Sequence, residues 1–282
     1  MDTRGNFITI KPKDALVAKH VAYYYFHSSN DDSFANNFMF YPNYKHALTI
    51  YKNSDVTLGH HESIIRTSKS EKYTQLYAVN TRDSFRVDLK GKFNKIGIVF
   101  NPLGINHFLK VPLCDIFTPP FSEFDLGDIF TLTIQKVYDE ADPEKKAGLL
   151  DDYFALNYVS FEEPVIKKAL AEILNSNGAV RVEELSENLG VNRKTLLRLF
   201  KKHLCASVEE YKKLVMFRNA LNYSQQAGDA ATLTDVALYS LYYDQAHFIK
   251  HFKAVTRHSP KELLSKLTQL GSQEAVYWHF GE

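Results

Sequence analysis

The 282 residues predict two domains, since a domain usually takes ~100–200 residues. A content of 45% hydrophobic and 24% charged residues is that of a globular chain able to bury a core. No run of about 18 apolar residues offers a membrane span, and Met1-Asp2-Thr3-Arg4-Gly5-Asn6 lacks the basic-then-apolar layout of a secretory signal. Cys114 and Cys205 lie far apart with no CxxC spacing, so no zinc motif and no disulfide framework is predicted, which fits a reducing cytoplasm. The net charge of +1 hides an asymmetry: residues 178–267 carry 14 Lys and Arg against 9 Asp and Glu, a net of +5, and the remainder carries 20 against 24, a net of −4. A basic module joined to a mildly acidic one is the layout of a nucleic-acid reader attached to a domain with another task.

In chain order, the first half reads as β-rich. Val21-Ala22-Tyr23-Tyr24-Tyr25-Phe26, Ala47-Leu48-Thr49-Ile50-Tyr51, Phe85-Arg86-Val87-Asp88-Leu89 and Ile96-Gly97-Ile98-Val99-Phe100 are aromatic and β-branched runs. Asn53-Ser54-Asp55 and Lys90-Gly91-Lys92 punctuate them as turns. Asn101-Pro102-Leu103-Gly104 opens a short helix ending near Lys110, and the pattern becomes helical from about Phe130. Glu163-Pro164 starts a helix running to Asn175, and Asn175-Ser176-Asn177-Gly178 is the clearest linker. The expected organisation is a β-rich domain over 1–160, a linker helix and loop over 161–177, an all-α domain over 178–268 and a tail over 269–282.

The last third contains an internal duplication. Val182, Leu185 and Ser186 correspond to Leu233, Val236 and Ala237 at an offset of 51. Asn192, Leu196, Phe200, Lys201, Ser207 and Glu210 correspond to Asp244, Phe248, Phe252, Lys253, Ser259 and Glu262 at an offset of 52. The slip of one falls in a turn, where an insertion disturbs least. Each copy reads as helix, tight turn and capped second helix, the helix-turn-helix pattern. In the first, Val182, Leu185 and Leu189 share a face, Gly190 makes the turn and Asn192 caps a helix whose Leu196, Phe200 and Leu204 face inward. Lys194, Arg198, Lys201 and Lys202 point outward, where Arg and Lys can meet guanine O6 and N7. In the second, Asp244 caps, Phe248, Phe252 and Val255 face inward, and Gln245, Ala246, His247, Lys250 and Lys253 stay outside. Gln pairs with adenine, Ala and Ile249 suit a thymine methyl, and Lys253 suits a phosphate. The bland alternative for either copy is a solvated basic face on a helical bundle; two copies at a fixed offset, with matching caps, argue against it.

Residues 178–265 resemble the DNA-binding domain of the arabinose-regulator (AraC/XylS) family of bacterial transcription factors. The residues that carry this are Leu185-Ser186-x3-Gly190-Val191-Asn192-x3-Leu196-x-Arg198-Leu199-Phe200-Lys201 and Ala237-x6-Asp244-Gln245-Ala246-His247-Phe248-x3-Phe252-Lys253-x5-Ser259-Pro260. The resemblance implies two units joined by a long helix, Val208 to about Gln225, with reading helices in adjacent major-groove turns ~34 Å apart. It places Lys194, Arg198, Gln245, Ala246 and Lys250 in base-facing positions and Leu197 and Ile249 in exposed slots. Asn192, Arg193, Lys201, Lys202 and Lys253 then meet the DNA backbone, while Leu185, Leu196, Phe200, Ala237, Phe248, Phe252 and Pro260 form the domain's core. Cys205, Leu241 and Arg257 stand where the family usually has glycine, and Val208 where it has proline. A non-glycine residue forced to positive φ costs ~1 kcal/mol or more, so the second unit is expected to be weakened or slightly reoriented at Leu241.

The first half resembles the sensor-like domain found ahead of many regulators of this family. The matching stretches are His20-Val21-Ala22-Tyr23-Tyr24-Tyr25-Phe26, Phe40-Tyr41-Pro42-Asn43-Tyr44 and Ile96-Gly97-Ile98-Val99-Phe100-Asn101-Pro102-Leu103-Gly104. It implies an α+β chain: a cupin-like β-barrel that binds an effector, dimerises or both, followed by the all-α reader. Of 37 Phe and Tyr, 28 lie outside residues 178–267, enough to line a pocket for an apolar or aromatic ligand or simply to fill a β core. Tyr24, Phe40 and Tyr44 are the candidates to face such a ligand. If Gly59-His60-His61-Glu62 is a strand, His60 and His61 point to opposite faces and do not both line one pocket, and no metal site is expected. No Ser-His-Asp, Walker or Rossmann pattern is present, and no catalytic residue, metal or cofactor is expected. The expected partners are double-stranded promoter DNA, RNA polymerase, a small-molecule effector and a second copy of the chain, with no membrane. Two readings compete: an enzyme fused to the reader, and a second helix-turn-helix that contacts protein instead of DNA.

Overall fold

A computed structural model of the chain describes residues 5–79, 84–227, 232–272 and 276–280. The first part runs β1 (Asn6–Ile10), α1 (Val17–His20), β2 (Val21–Ser29), β3 (Ala35–Phe40), β4 (His46–Lys52), β5 (Ser54–Leu58), β6 (Glu62–Thr67), β7 (Tyr73–Ala78), β8 (Phe85–Lys90), β9 (Phe93–Phe100), a 3-10 turn (Gly104–Phe108), α2 (Leu113–Ile116) and β10 (Phe121–Glu123). Helices follow: α3 (Asp128–Asp139), α4 (Pro143–Leu156), α5 (Pro164–Asn175), α6 (Val182–Asn188), α7 (Arg193–Leu204), α8 (Val208–Ala227), α9 (Leu233–Tyr239), α10 (Gln245–Thr256) and α11 (Pro260–Lys266). A hairpin, β11 (Leu267–Leu270) and β12 (Val276–Phe280), ends the described chain. The fold is therefore α+β, a β-rich N-terminal domain followed by a helical C-terminal one.

The strands form two six-stranded sheets, ordered β1-β2-β9-β4-β7-β10 and β11-β12-β3-β8-β6-β5. Pairing is antiparallel except between β6 and β8. Period-two alternation sends Tyr24 and Phe26 to one face of the first sheet, where they join Phe130, Ile134, Leu150 and Phe154 of α3 and α4 in one core. Tyr23 and Tyr25 point the other way, between the sheets. Gly97, paired with Tyr25, must be glycine because a Cβ there would sit 1.8 Å from the Tyr25 ring. Asp151 of α4 pins helix to sheet: it accepts from the Tyr24 hydroxyl at 2.7 Å and from the backbone N–H groups of Lys13 and Asp14 at 2.8 and 3.0 Å. Three donors satisfy a carboxylate that burial alone would penalise.

Several sequence expectations are modified. Ser54 and Asp55 do not extend the Asn53 turn; that residue, at φ 51°, turns the chain and β5 starts immediately after it. The helix expected after Asn101-Pro102 is only the short 3-10 turn. Gly59-His60-His61 is the tip of the β5–β6 hairpin rather than a strand, so the alternation argument made for its histidines does not apply. The tail adds β12 to β3 of the N-terminal domain, with His279 opposite Met39 and Phe280 opposite Phe38. The side chains of Val276, Tyr277, Trp278 and Phe280 lie outside the described residues.

The largest correction concerns the cysteines. Cys114 and Cys205 are bonded to each other, with Cα atoms 5.9 Å apart across a sequence separation of 91. Their distance along the chain misled because α2 packs against the end of α7, a contact between domains that no local pattern encodes.

Candidate nucleic-acid interface

The two repeats share the same turns and caps at equivalent residues. In the first unit α6 ends in a turn where Gly190 N–H donates to Glu187 O at 3.1 Å and Val191 N–H to Ser186 O at 3.0 Å. In the second, Leu241 N–H donates to Leu238 O at 3.2 Å and Tyr242 N–H to Ala237 O at 3.0 Å. Gly190 has φ 63° and Leu241 φ 61°, so the left-handed turn is kept although the second residue is leucine. The second helix of each unit is capped alike: Asn192 accepts from Thr195 N–H at 2.9 Å, and Asp244 from His247 N–H at 2.7 Å. Each also ends in a left-handed residue that is not glycine, Cys205 at φ 53° and Arg257 at φ 63°.

The strain at Leu241 makes a direct prediction. Left-handed backbone costs a leucine about 1–2 kcal/mol, whereas glycine at the same place gives up ~0.5–1 kcal/mol of unfolded-state entropy. Leu241 is 46% exposed, so its side chain adds little packing. Leu241→Gly is expected to stabilise the protein by about 0.5–1 kcal/mol in urea denaturation; a lower midpoint would show that the leucine is held by contacts and not against strain.

The helix between the units fixes their separation. Ser207 and Glu210 close a capping box at the start of α8, with Ser207 N–H donating to Glu210 Oε2 at 2.7 Å and Glu210 N–H to Ser207 Oγ at 3.2 Å. Its 20 residues span about 30 Å. Tyr211 and Val215 enter the core of the first unit with Leu185, Leu196, Phe200 and Leu204. One to two turns later Phe217, Ala220 and Leu221 enter the second core with Ala237, Phe248, Phe252 and Leu263. Both cores thus share one rigid rod. Pro260, the first residue of α11, is buried beside the second.

Outside these cores, Arg193, Lys194, Leu197, Arg198 and Lys201 of α7 are exposed and Lys202 is half-buried. On α10, Gln245, Ala246, His247, Lys250 and Lys253 are exposed. Two of these already hold protein partners: Arg193 meets Glu183 at 2.7 Å, and Gln245 Oε1 accepts from Thr234 Oγ1 at 3.0 Å. The Arg193 pair is solvent-exposed, worth ~0–1 kcal/mol, and yields readily to a phosphate. Ile249 is partly buried against the second core, so it packs, whereas Leu197 stays accessible.

A family profile described as "Helix-turn-helix domain" matches residues 185–266. These residues are an AraC-type helix-turn-helix domain. The chain that carries it is a DNA-binding transcription regulator. No curated protein matches the chain in sequence. Among solved structures it is similar to ToxT from Vibrio cholerae, with 11% identity and a TM-score of 0.49 over 92% of this chain and 97% of that one. It is similar also to ToxT of Vibrio cholerae with an unsaturated fatty acid bound, with 13% identity and a TM-score of 0.46 over 87% and 99% of the two chains. The xylose-binding transcription activator xylR gives 18% identity and a TM-score of 0.32 over 39% of this chain and 28% of that one. No helix among the described residues is long and apolar enough to cross a membrane.

Among the described residues the AraC-type domain meets the β-rich domain at the end of α7, where the Cys114–Cys205 bond also lies, and at the middle of α8, while the tail adds β12 to β3. At the end of α7, Asn106 Nδ2 donates to His203 O at 3.1 Å, and Leu103 and Phe161 enter the first unit's core. Leu199 and His203, which helical periodicity alone left unassigned, are buried. At the middle of α8, the Arg218 guanidinium donates from Nη2 to Tyr41 O at 2.7 Å and from Nε to Pro42 O. Burial draws the Arg218 pKa down to about 10, which leaves it charged at neutral pH. Nothing in the sequence singles this arginine out.

The segment that Arg218 holds borders a cavity. Between the two sheets lies about 70 Å³ of open space, faced by Tyr23, Tyr25, Phe38, Phe40, Lys45 and Lys95 among others. Lys95 is buried and its Nζ lies 4.4 Å from the centre of the Phe38 ring and 5.9 Å from those of Tyr25 and Tyr51. Burial lowers its pKa to about 7. Of the three residues expected to face a ligand, Phe40 lines this cavity. Tyr24 does not: it sits on the opposite strand face, bonded to Asp151. Tyr44 does not either, because it packs toward the first helix-turn-helix unit, while its neighbours Asn43 and Lys45 reach the cavity. The alternation of β2 pointed to Tyr23 and Tyr25 as soon as Tyr24 was assigned to the helix-covered face.

Proposed function

We propose that this regulator reads an asymmetric promoter site through α7 and α10 and that a ligand in the cavity between the sheets controls the reading. The observation that carries the first part is the pair of capped helices with exposed basic faces on one shared rod, α8. Lys194, Arg198, Gln245, Ala246 and Lys250 are the proposed base readers, and Asn192, Arg193, Lys201, Lys202 and Lys253 the proposed phosphate contacts. Residues 178–268 would form the reader and residues 1–160 the sensor, joined by 161–177. Selection of bound sequences from a random duplex pool tests this. A bipartite motif with half-sites one helical turn apart is the expected result, and no enrichment of any sequence would refute it. Arg198→Ala is expected to cost ~1–3 kcal/mol at one base pair and little at others. Lys201→Ala should weaken all sites alike and reduce the salt slope by about 1.

Control by a ligand is supported by where the cavity lies. Its open space suits several waters or a small group, so a larger effector enters only by displacing the lining. Phe40, Asn43 and Lys45 flank Tyr41 and Pro42, whose carbonyls Arg218 grips, so that displacement bears directly on α8. The lining fits a small, largely apolar molecule with one acceptor group for Lys95 or Lys45. Contact with RNA polymerase, self-association and a cytoplasmic location belong to the same proposal; sedimentation and in vitro transcription test the first two.

A second reading has one specific observation behind it. Leu238, Tyr239, Leu241 and Tyr243 of the second unit are exposed, Tyr243 by 91%, where the first unit has Glu187, Asn188 and Gly190 at the first three positions. Such a cluster suits a protein contact by the second unit. DNA binding that is lost in Arg198→Ala and intact in Lys250→Ala would favour it.

A further inference from the structure

The last turn of α7 is where the first helix-turn-helix unit meets the N-terminal domain, and the meeting includes one covalent link. Beside the Asn106–His203 hydrogen bond, Cys114 of α2 is bonded to Cys205, the residue that closes α7. Both cysteines are half-buried, at the rim of the contact and open to small molecules. Cys114 Sγ also lies beside the Lys201 carbonyl oxygen, an acceptor within reach of the thiol once the bond is reduced. The base-reading face of α7 lies at the other end and side of the helix, so the link fixes the unit's orientation without covering its readers. A protein that works on DNA meets a reducing milieu, where disulfides are rare and those present are mostly transient or redox-sensing.

We propose, resting on the DNA-binding reading, that Cys114 and Cys205 form a redox switch whose disulfide pins the first reading unit to the N-terminal domain and whose reduction frees it to bind DNA. Formation uses a low-molecular-weight disulfide such as oxidised glutathione. One cysteine thiolate attacks it, expels a glutathione thiolate and forms a mixed disulfide. The other cysteine thiolate attacks the protein sulfur of that bond, expels the second glutathione thiolate and closes the Cys114–Cys205 link. The two protons leaving the protein thiols end on the two glutathione thiolates, and two electrons pass from protein to glutathione. Reduced glutathione reverses both steps. The second unit is tied to the N-terminal domain separately, through Arg218 and the β12–β3 pairing. With the disulfide closed, both units are anchored to the N-terminal domain, and the pair that α8 holds together cannot shift against that domain to seat on DNA.

The full-length protein, equilibrated in oxidised or reduced glutathione, tests this by two readouts. Thiol alkylation with peptide mapping reports the link, and fluorescence anisotropy with the selected duplex reports affinity. Expected are an intramolecular Cys114–Cys205 link in the oxidised protein and binding at least about fivefold weaker than in the reduced protein. Cys114→Ser and Cys114→Ala, both checked for folding by circular dichroism, should bind like the reduced protein in either buffer. Free thiols in both buffers, or a link with unchanged affinity, would overturn the switch. So would redox-sensitive binding that persists in the Cys114 variants. Reduced protein that binds no duplex would instead sink the DNA-binding reading, while the alkylation map would still report the link.

Discussion

Arg218→Ala should lower the stability of the protein by about 2–6 kcal/mol and cut the communication between cavity and reader. The magnitude follows from what the guanidinium satisfies: two backbone carbonyls, of Tyr41 and Pro42, each left without this donor at ~1–3 kcal/mol. Tyr41 is buried in the second unit's core, with Phe217 and Phe252, so solvent does not easily replace what is lost. Arg218→Lys should recover part of the loss, because an ammonium keeps the charge but cannot serve both carbonyls with a planar fork. The decisive comparison uses DNA affinity measured with and without a cavity ligand found by thermal-shift screening. In the wild type the ligand should change affinity, and in Arg218→Lys, the better-folded variant, that change should shrink toward none. Undiminished ligand control in Arg218→Lys would mean that the signal travels by another route, the end of α7 being the alternative contact.

Phe200→Ala is expected to cost about 3–5 kcal/mol, the range for emptying an aromatic site in a close-packed core. Phe200 is fully buried, packs edge-on against Tyr211 at 5.8 Å between ring centres, and shares its cluster with Leu185, Leu196 and Ile166. That cluster also includes Leu103 and Phe161, so the cavity loosens the joint with the N-terminal domain as well as the first unit. Leu197→Ala, three residues earlier on the exposed face at 38% exposure, should stay within ~0.5 kcal/mol. Thermal denaturation of the two variants side by side checks the contrast. Equal shifts would mean that the helix is not packed through the face assigned to it.

Much of the reader was legible because its rules are local. Caps, turns and the inward positions Leu196, Phe200, Phe248 and Phe252 follow from helical periodicity and short-range hydrogen bonds, which a duplicated sequence states twice. Even the departures from glycine at Cys205, Leu241 and Arg257 were visible, and all three take positive φ because the turns they occupy demand it. The exposed sides of α7 and α10 followed as the complement of the buried ones. In the β-rich part the strand runs were readable, but their faces were not: two consecutive tyrosines differ only by which side the helices α3 and α4 cover. The sequence therefore offers Tyr24 as a candidate for the cavity, whereas in the structure Tyr23 and Tyr25 line it.

What the amino-acid order determined by itself was the chemistry with short reach: a duplicated basic helix-turn-helix, its caps, its cores and a β-rich partner. Only the tertiary structure decided the contacts between distant segments. It brought Cys114 to Cys205, Arg218 to the carbonyls of Tyr41 and Pro42, Lys95 into an aromatic box between two sheets, and the tail onto β3. Such contacts depend on how whole elements pack, and packing is chosen by the sum of buried area across the chain rather than by any spacing along it.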